Sequence, residues 1–295
     1  MSVDPLAESF ACAWQRDVST LKSKLVDAYA ILPNLSNGAE AAMPANAEAC
    51  SREAVASIAS IASHPASLCA ACSVRDASFC GALFKAAMPL AVEIKHRTTP
   101  ARQNIYRAGE AIDGVLLVCE GWAVRFVQLP NGKRQILSLV MPGDLVSPAS
   151  MIERRFPFSI QAVTRVVSCK IPFHDVLTGM RQSPALIDTW LGLAAAEHRQ
   201  ADRRLVDLGQ RNAMERVAAL LYGILLRYEE RGELQNDNEF PFPMTQQQIA
   251  EFTGLTPVHA CRVVAKLRKS GICRVGHGRA KIFDRAELER IASLR

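Results

Sequence analysis

Three closely spaced thiols are the first residues in this chain with obvious chemistry. In HPASLCAACSVRDASFCGAL, Cys69, Cys72 and Cys80 stand as C-x2-C-x7-C. Two thiolates three positions apart can reach one metal centre, and a loop lets a third converge on it, so zinc and an iron–sulfur cluster are the candidate ligands. Three buried structural cysteines are the alternative. The chain holds nine cysteines in all. In a cytoplasmic protein such a number points to metal or redox chemistry rather than a disulfide framework. Cys12 and Cys50 are isolated, and Cys119, in the apolar run GVLLVC, reads as core.

A second chemistry lies near the other end, in PFPMTQQQIAEFTGLTPVHACRVVAKLRKSGI. The pattern predicts two short helices with a turn at Gly254, where positive φ is available. Thr256 is a good N-cap and Pro257 suits the first helical position. Ala260, Val264 and Leu267 recur at spacings of four and three and face inward. Val258, Cys261, Arg262, Ala265 and Lys266 then lie outward, on a helix of the kind that enters a major groove. The guanidinium fork of Arg262 matches guanine O6 and N7. Thr245, Gln246, Thr256, Pro257 and His259 are the further candidate DNA contacts. Cys273–Val275 and Lys281–Phe283 flank Gly276–Gly278 as a strand, turn and strand. This is a wing bearing Arg274, His277, Arg279 and Lys281.

These sites need elements to position them, and 295 residues suffice for two domains and a substantial core. A hydrophobic content of 49% with 22% charged residues describes a soluble globular chain, and a net charge of +6 mildly favours an anionic partner. No apolar run is long enough to span a bilayer, and Asp4 and Glu8 interrupt any secretion signal, so a cytoplasmic location is expected. Residues 1–63 form an Ala/Ser-rich extension in which AEACSREAVASIASIAS suggests one helix. From Leu90 to Phe173 glycine-punctuated strands predict a β-roll, with Asn131–Gly132 as a hairpin turn and Cys169 near a strand end. Leu186, Trp190, Leu193, Glu197, Ala201 and Leu205 then mark a long helix whose apolar seam fits a two-stranded dimer. A further amphipathic helix spans Asn212–Tyr228, and GELQNDNEF reads as a polar connection. The expected organisation is the extension (1–63), a sensor domain of cysteine loop plus β-roll (64–183), a dimerisation helix (184–211) and a winged helix-turn-helix (212–295). The fold class is α+β.

QQQIAEFTGLTPVHACRVVAKLRKSGI resembles the DNA-binding end of the CRP/FNR family of bacterial transcription regulators. YRAGE at Tyr106–Glu110, PGD at Pro142–Asp144, CKIPF at Cys169–Phe173 and LGQRNAMERVAALL at Leu208–Leu221 extend the resemblance from His64 to the last residue. The chain looks most like the FNR branch, whose members hold an oxygen-labile [4Fe-4S] cluster with three N-terminal cysteines and one from the β-roll. The resemblance implies that Cys69, Cys72, Cys80 and, through CKIPF, Cys169 are the ligands. It also implies a homodimer on double-stranded promoter DNA, contact with RNA polymerase near the basic tip Gly132–Arg134, and no enzymatic activity or membrane attachment.

Two departures from the family matter. Where the branch has ExxSR in its recognition helix, this chain has Val258, Cys261 and Arg262, so the carboxylate that would accept from a cytosine amine is missing. A cyclic-nucleotide pocket would need Glu after the turn glycine and Arg followed by a small hydroxyl residue. Here Asp144 follows Gly143, and Arg154–Arg155 precede Phe156 and Pro157. The other readings are a relative gated by a different small effector and a zinc protein using the cysteine loop.

Overall fold

A computed structural model describes residues 72–86, 94–234 and 238–293. The extension, His64 and Cys69 lie outside the described residues, as does the helix expected in the extension. Helix α1 (Phe79–Ala86) leads into the strands β1 (Lys95–Thr99), β2 (Asn104–Tyr106), β3 (Gly114–Glu120), β4 (Ala123–Gln128) and β5 (Arg134–Val140). A short α2 (Ser150–Glu153) precedes β6 (Ser159–Ala162) and β7 (Val166–Pro172). Helices α3 (Phe173–Gln182), α4 (Pro184–Gln210) and α5 (Ala213–Glu230) follow. The chain ends in β8 (Glu239–Pro241), α6 (Gln246–Thr253), α7 (Pro257–Lys269), β9 (Cys273–Gly276), β10 (Arg279–Ile282) and α8 (Arg285–Ala292). Among the described residues no helix is long and apolar enough to cross a membrane.

Two antiparallel sheets, in the orders β1-β7-β3 and β2-β6-β4-β5, form the roll. Its interior is apolar: Val115, Leu117, Ile160, Val166 and Ile171 pack with Phe156 and Phe158. Strands β4 and β5 are apolar on their outer face too. Trp122, Val124, Phe126, Ile136, Leu139 and Met141 share one core with α5 and the helix-turn-helix. Tyr228 of α5 stacks on Trp122 at 6.5 Å and on Phe240 of β8 at 5.6 Å. This second buried face explains why β4 carries so little alternation, and it docks the DNA-binding domain on the roll.

The structure revises four local expectations. Cys80 lies on the first turn of α1, not in a loop. Cys169 is at the middle of β7, not near its end. The connection GELQNDNEF ends in strand β8, which completes the three-stranded wing sheet β8-β10-β9. The seam of α4 is divided: Leu186 and Trp190 are buried against the roll, and Glu197 pairs with Arg125. The apolar residues that α4 leaves exposed are Ile187, Leu191, Leu205 and Val206. Periodicity marks an apolar stripe but not which neighbour covers it: the roll covers Leu186 and Trp190, and Leu205 of the same stripe stays exposed.

Candidate functional site

Cysteine loop and β-roll meet at one point. After Cys72 the chain makes a compact turn in which Arg75 N–H donates to Cys72 O at 3.2 Å and Ser78 Oγ donates to Arg75 O at 2.8 Å. Gly81 N–H donates to the same carbonyl at 2.9 Å. A Cβ at Gly81 would stand 2.5 Å from Arg75 O, so only glycine lets the turn fold back on α1. The fold-back brings Cys72 and Cys80 to one side. Helix α1 is held there by Phe79, whose ring meets Trp190 of α4 edge-on at 5.1 Å.

The roll supplies the opposite wall. Strand β7 is the middle strand of its sheet, with Cys169 opposite His96 of β1 and Leu117 of β3. The β3–β7 register shifts between Val118 and Glu120, and Cys119 sits at that bulge. A bulge bends its strand and re-aims a side chain. Cys119 is accordingly half-buried, and hydrogen bonding with Cys169, more than with Cys72, holds its thiol below the usual range against the opposing effect of burial. Cys72, Cys80, Cys119 and Cys169, with His96 and Gly143, line one cavity of about 10 Å³. Cys119 packs partly buried against the core of the roll, as expected, and it also lines this cavity. Without the bulge, the strand alternation gave no signal for it.

Hydrogen bonding with Cys169 is the largest cause that holds Cys119 and Cys80 below the usual thiol range, and the same pairing, with Cys119 first, holds Cys169 above it. Burial pushes Cys72 up. Cys273, in the wing core, is pushed up to about 11 by burial alone. A soft, all-sulfur donor set of this kind suits zinc or iron–sulfur centres. Among the described residues no three Cys, His, Asp or Glu side chains are already drawn around a single point. Any centre here would therefore pull the cysteine turn into a new position.

The turn Pro142–Asp144 joins this site to the DNA-binding domain. Gly143 has φ +87° and lies against Val74, with a Cβ there 3.5 Å from that of Val74. Gly143 N–H donates to Val118 O at 2.7 Å, and Val118 N–H donates to Asp144 O at 3.1 Å, next to the bulge. The Asp144 carboxylate faces the other way. It accepts from Met141 N–H at 2.7 Å, from Arg231 at the C-cap of α5 at 2.7 Å and from Arg227 on α5. Asp144 is thus committed to Arg227 and Arg231, and Phe156 and Phe158 pack the interior of the roll.

The helix-turn-helix is capped as expected. Thr245 and Gln248 form a capping box at α6, Gly254 turns the chain at φ 67°, and Thr256 Oγ1 accepts from His259 N–H. Val258, His259, Cys261, Arg262 and Lys266 are exposed along one face of α7, while Ala260, Val264 and Leu267 are buried. Arg262 has no ion-pair partner among the described residues. The wing cations differ: Arg279 and Lys281 both pair with Glu239.

The C-terminal carbonyls of α6 are held from three sides. Gln135 of β5 donates to Glu251 O at 2.8 Å, Arg216 of α5 donates to Thr253 O at 3.2 Å, and Arg204 of α4 donates to Phe252 O. Arg204 also stacks on the Phe252 ring at 3.6 Å, and burial pushes its pKa down to about 10, leaving it charged at neutral pH. Arg134, expected at a polymerase-facing tip, instead covers Phe126 at 3.8 Å and pairs with Glu251 at 3.7 Å. Arg204→Ala should cost about 1–3 kcal/mol in a urea titration, because it frees a helix C-terminus and bares a ring. An unchanged midpoint and slope would show that the domains are not docked through this residue.

Two family models match: a cyclic nucleotide-binding domain over residues 96–183 and a Crp-like helix-turn-helix domain over residues 215–291. The nitrogen fixation regulation protein FixK of Bradyrhizobium diazoefficiens is 30% identical over 237 residues, covering 76% of this chain and 94% of that protein. The chain belongs to the CRP/FNR family of transcription regulators. The anaerobic regulatory protein of Haemophilus influenzae is 29% identical over 174 residues, covering 59% of this chain and 66% of that protein. The solved FixK2 structure from Bradyrhizobium japonicum has the same fold, with a TM-score of 0.59 at 21% identity, over 69% of this chain and 99% of that one. As a member of the CRP/FNR family, this chain is a DNA-binding transcription regulator with a β-roll and a C-terminal helix-turn-helix.

Proposed function

We propose that this regulator senses oxygen or redox state through a [4Fe-4S] cluster held by Cys69, Cys72, Cys80 and Cys169, and that the sensing controls dimerisation and promoter binding. The observation that carries the reading is the convergence of Cys72 and Cys80 with the remote Cys169 at one buried cavity. When bound, the cluster would supply a centre labile to oxygen and nitric oxide. The chain's own residues do the rest. Cys72 and Cys80 tie the turn to the roll, and Phe79 presses α1 onto Trp190 of α4. Gly143 and Asp144 connect the same turn to Arg227 and Arg231. A change in the position of the cysteine turn therefore reaches both the long helix and the DNA-binding domain.

The homodimer belongs to the same proposal. Ile187, Leu191 and Leu205 are exposed along α4 at 42%, 59% and 71%, an apolar cost that a second copy of α4 would remove. Leu205→Glu should shift sedimentation from dimer towards monomer at least tenfold in concentration, with the melting temperature of the monomer unchanged. An undisturbed dimer would move the interface elsewhere. Two recognition helices would then reach successive major grooves of promoter DNA. The exposed Lys133 tip is the surface left for RNA polymerase.

The deciding experiment is anaerobic purification with iron and sulfide analysis, then DNA affinity before and after air. Expected are a brown chromophore and an affinity that falls with it. Affinity indifferent to air counts against the switch.

A further inference from the structure

We propose that the roll carries an anion site at the seam between β1 and β2, and that its ligand is a small molecule bearing a diphosphate, such as a nucleoside diphosphate. None of the residues that line it belongs to the cysteine site or to the helix-turn-helix, so it does not rest on the iron–sulfur reading.

The seam follows from the topology. Among the described residues β1 is an edge strand of the sheet β1-β7-β3, and β2 is an edge strand of β2-β6-β4-β5. Edge strands keep backbone groups outside their own ladders, and the two sheets part at the turn that joins these strands. A cavity of about 470 Å³ opens there, within the size range of small-molecule sites. Arg97, Arg102, Asn104, Arg107 and Gln161 line it.

Charge selects the ligand. The three arginines share the lining with one carboxylate, Glu110. Glu110 Oε2 accepts from Arg107 N–H at 2.9 Å, so it closes its own turn instead of pairing with a guanidinium. The side chains of Arg102 and Arg107 have no hydrogen-bond or ion-pair partner among the described residues. Arg97 spans the seam with one N–H to Ile105 O at 3.2 Å, which leaves its other donors for a ligand. Arginine stays charged at any physiological pH, and its fork fits phosphate oxygens. A diphosphate answers this excess of positive charge, and a cyclic monophosphate answers less of it.

The floor of the cavity is set in advance. Gln161, opposite Asn104 in the β2–β6 ladder, accepts from both terminal nitrogens of Arg134 at 3.1 Å and donates to Arg102 O at 3.0 Å. Arg102 N–H donates to Ala162 O at 2.7 Å. These bonds hold Arg102 at φ 68°, a left-handed conformation that few residues with a side chain adopt. Asn104 has a buried Oδ1 without a hydrogen-bond donor, the kind of group that a bound sugar hydroxyl satisfies.

Isothermal titration of the full reduced chain at low salt tests this, with ADP, inorganic pyrophosphate and cyclic AMP as probes. ADP should bind with one equivalent per chain, pyrophosphate should compete with it, and cyclic AMP should bind about tenfold more weakly. Arg102→Ala and Arg107→Ala should each weaken ADP about fivefold, and together about twentyfold. The thermal midpoint should not move, because neither side chain holds another residue. Arg181→Ala, which removes an exposed cation of α3 outside the cavity, should leave ADP affinity as it is. Absence of binding by ADP and pyrophosphate overturns the proposal. So does ADP affinity that is unchanged in the Arg102→Ala, Arg107→Ala chain, that falls equally in Arg181→Ala, or that cyclic AMP matches. Binding of polyglutamate in place of both phosphate probes would give the surface to an acidic protein and likewise overturn it.

Discussion

Cys169→Ser should purify without colour from an anaerobic chamber, its iron falling from about four atoms per chain to near none. Cys169 is 3% exposed on the central strand of its sheet, and its thiol is the one in contact with both Cys80 and Cys119. Serine keeps nearly the same volume and can still donate a hydrogen bond, so the fold should survive with a small loss of stability. A hydroxyl does not ionise at neutral pH as a metal-supported thiol does, so the ligand is lost while the shape is kept. The variant's DNA affinity should equal that of the unsubstituted protein after air exposure, because the two then share the same unclamped turn. Cys119→Ser should keep the brown colour, since Cys69 remains to complete the cluster. A Cys169→Ser chain that retains iron and sulfide at the normal ratio would remove the roll from the ligand set.

Arg262→Ala should weaken binding to the cognate promoter by about 1–3 kcal/mol per half-site, which is roughly 5- to 150-fold, and relax preference at one base pair. The side chain is exposed on the outer face of α7 and has no ion-pair partner among the described residues, so little has to be broken before it engages DNA. Lys266→Ala should act differently. It should weaken all sequences about equally and lower the salt slope by about one, as expected for a phosphate contact. Binding-site selection with titrations at several salt concentrations separates the two. If Arg262→Ala lowers affinity without changing the selected sequence, the arginine is a backbone contact and the base reading passes to Val258, His259 or Cys261.

The helix-turn-helix was legible because its determinants are local. Gly254 at positive φ, Thr256 as cap and the three-and-four spacing of Ala260, Val264 and Leu267 each act within a few residues. The hairpin at Asn131–Gly132 and strand β5 at Arg134–Val140 were readable for the same reason. The CRP/FNR family was legible too, through motifs whose order survives where single residues have changed.

What required the tertiary structure was every choice between two neighbours. The stripe containing Leu186 and Trp190 is equally good for a partner helix or for the roll, and both residues join the core of the roll, with Trp190 against Phe79 of α1. Arg134 could have faced solvent at a hairpin tip, and it covers Phe126 because the outer face of β4 and β5 is buried by the DNA-binding domain. Cys119 looked like core because strand alternation assumes an unbroken ladder, and a bulge at that residue turns its sulfur towards three others. Residue type and short spacing were enough to pick out the candidate thiols and the outward-facing residues of α7. The packing of distant segments alone decided which sulfurs meet and through which turn they touch the DNA-binding domain, because those contacts join residues far apart in the chain, as Cys80 with Cys169 and Asp144 with Arg231.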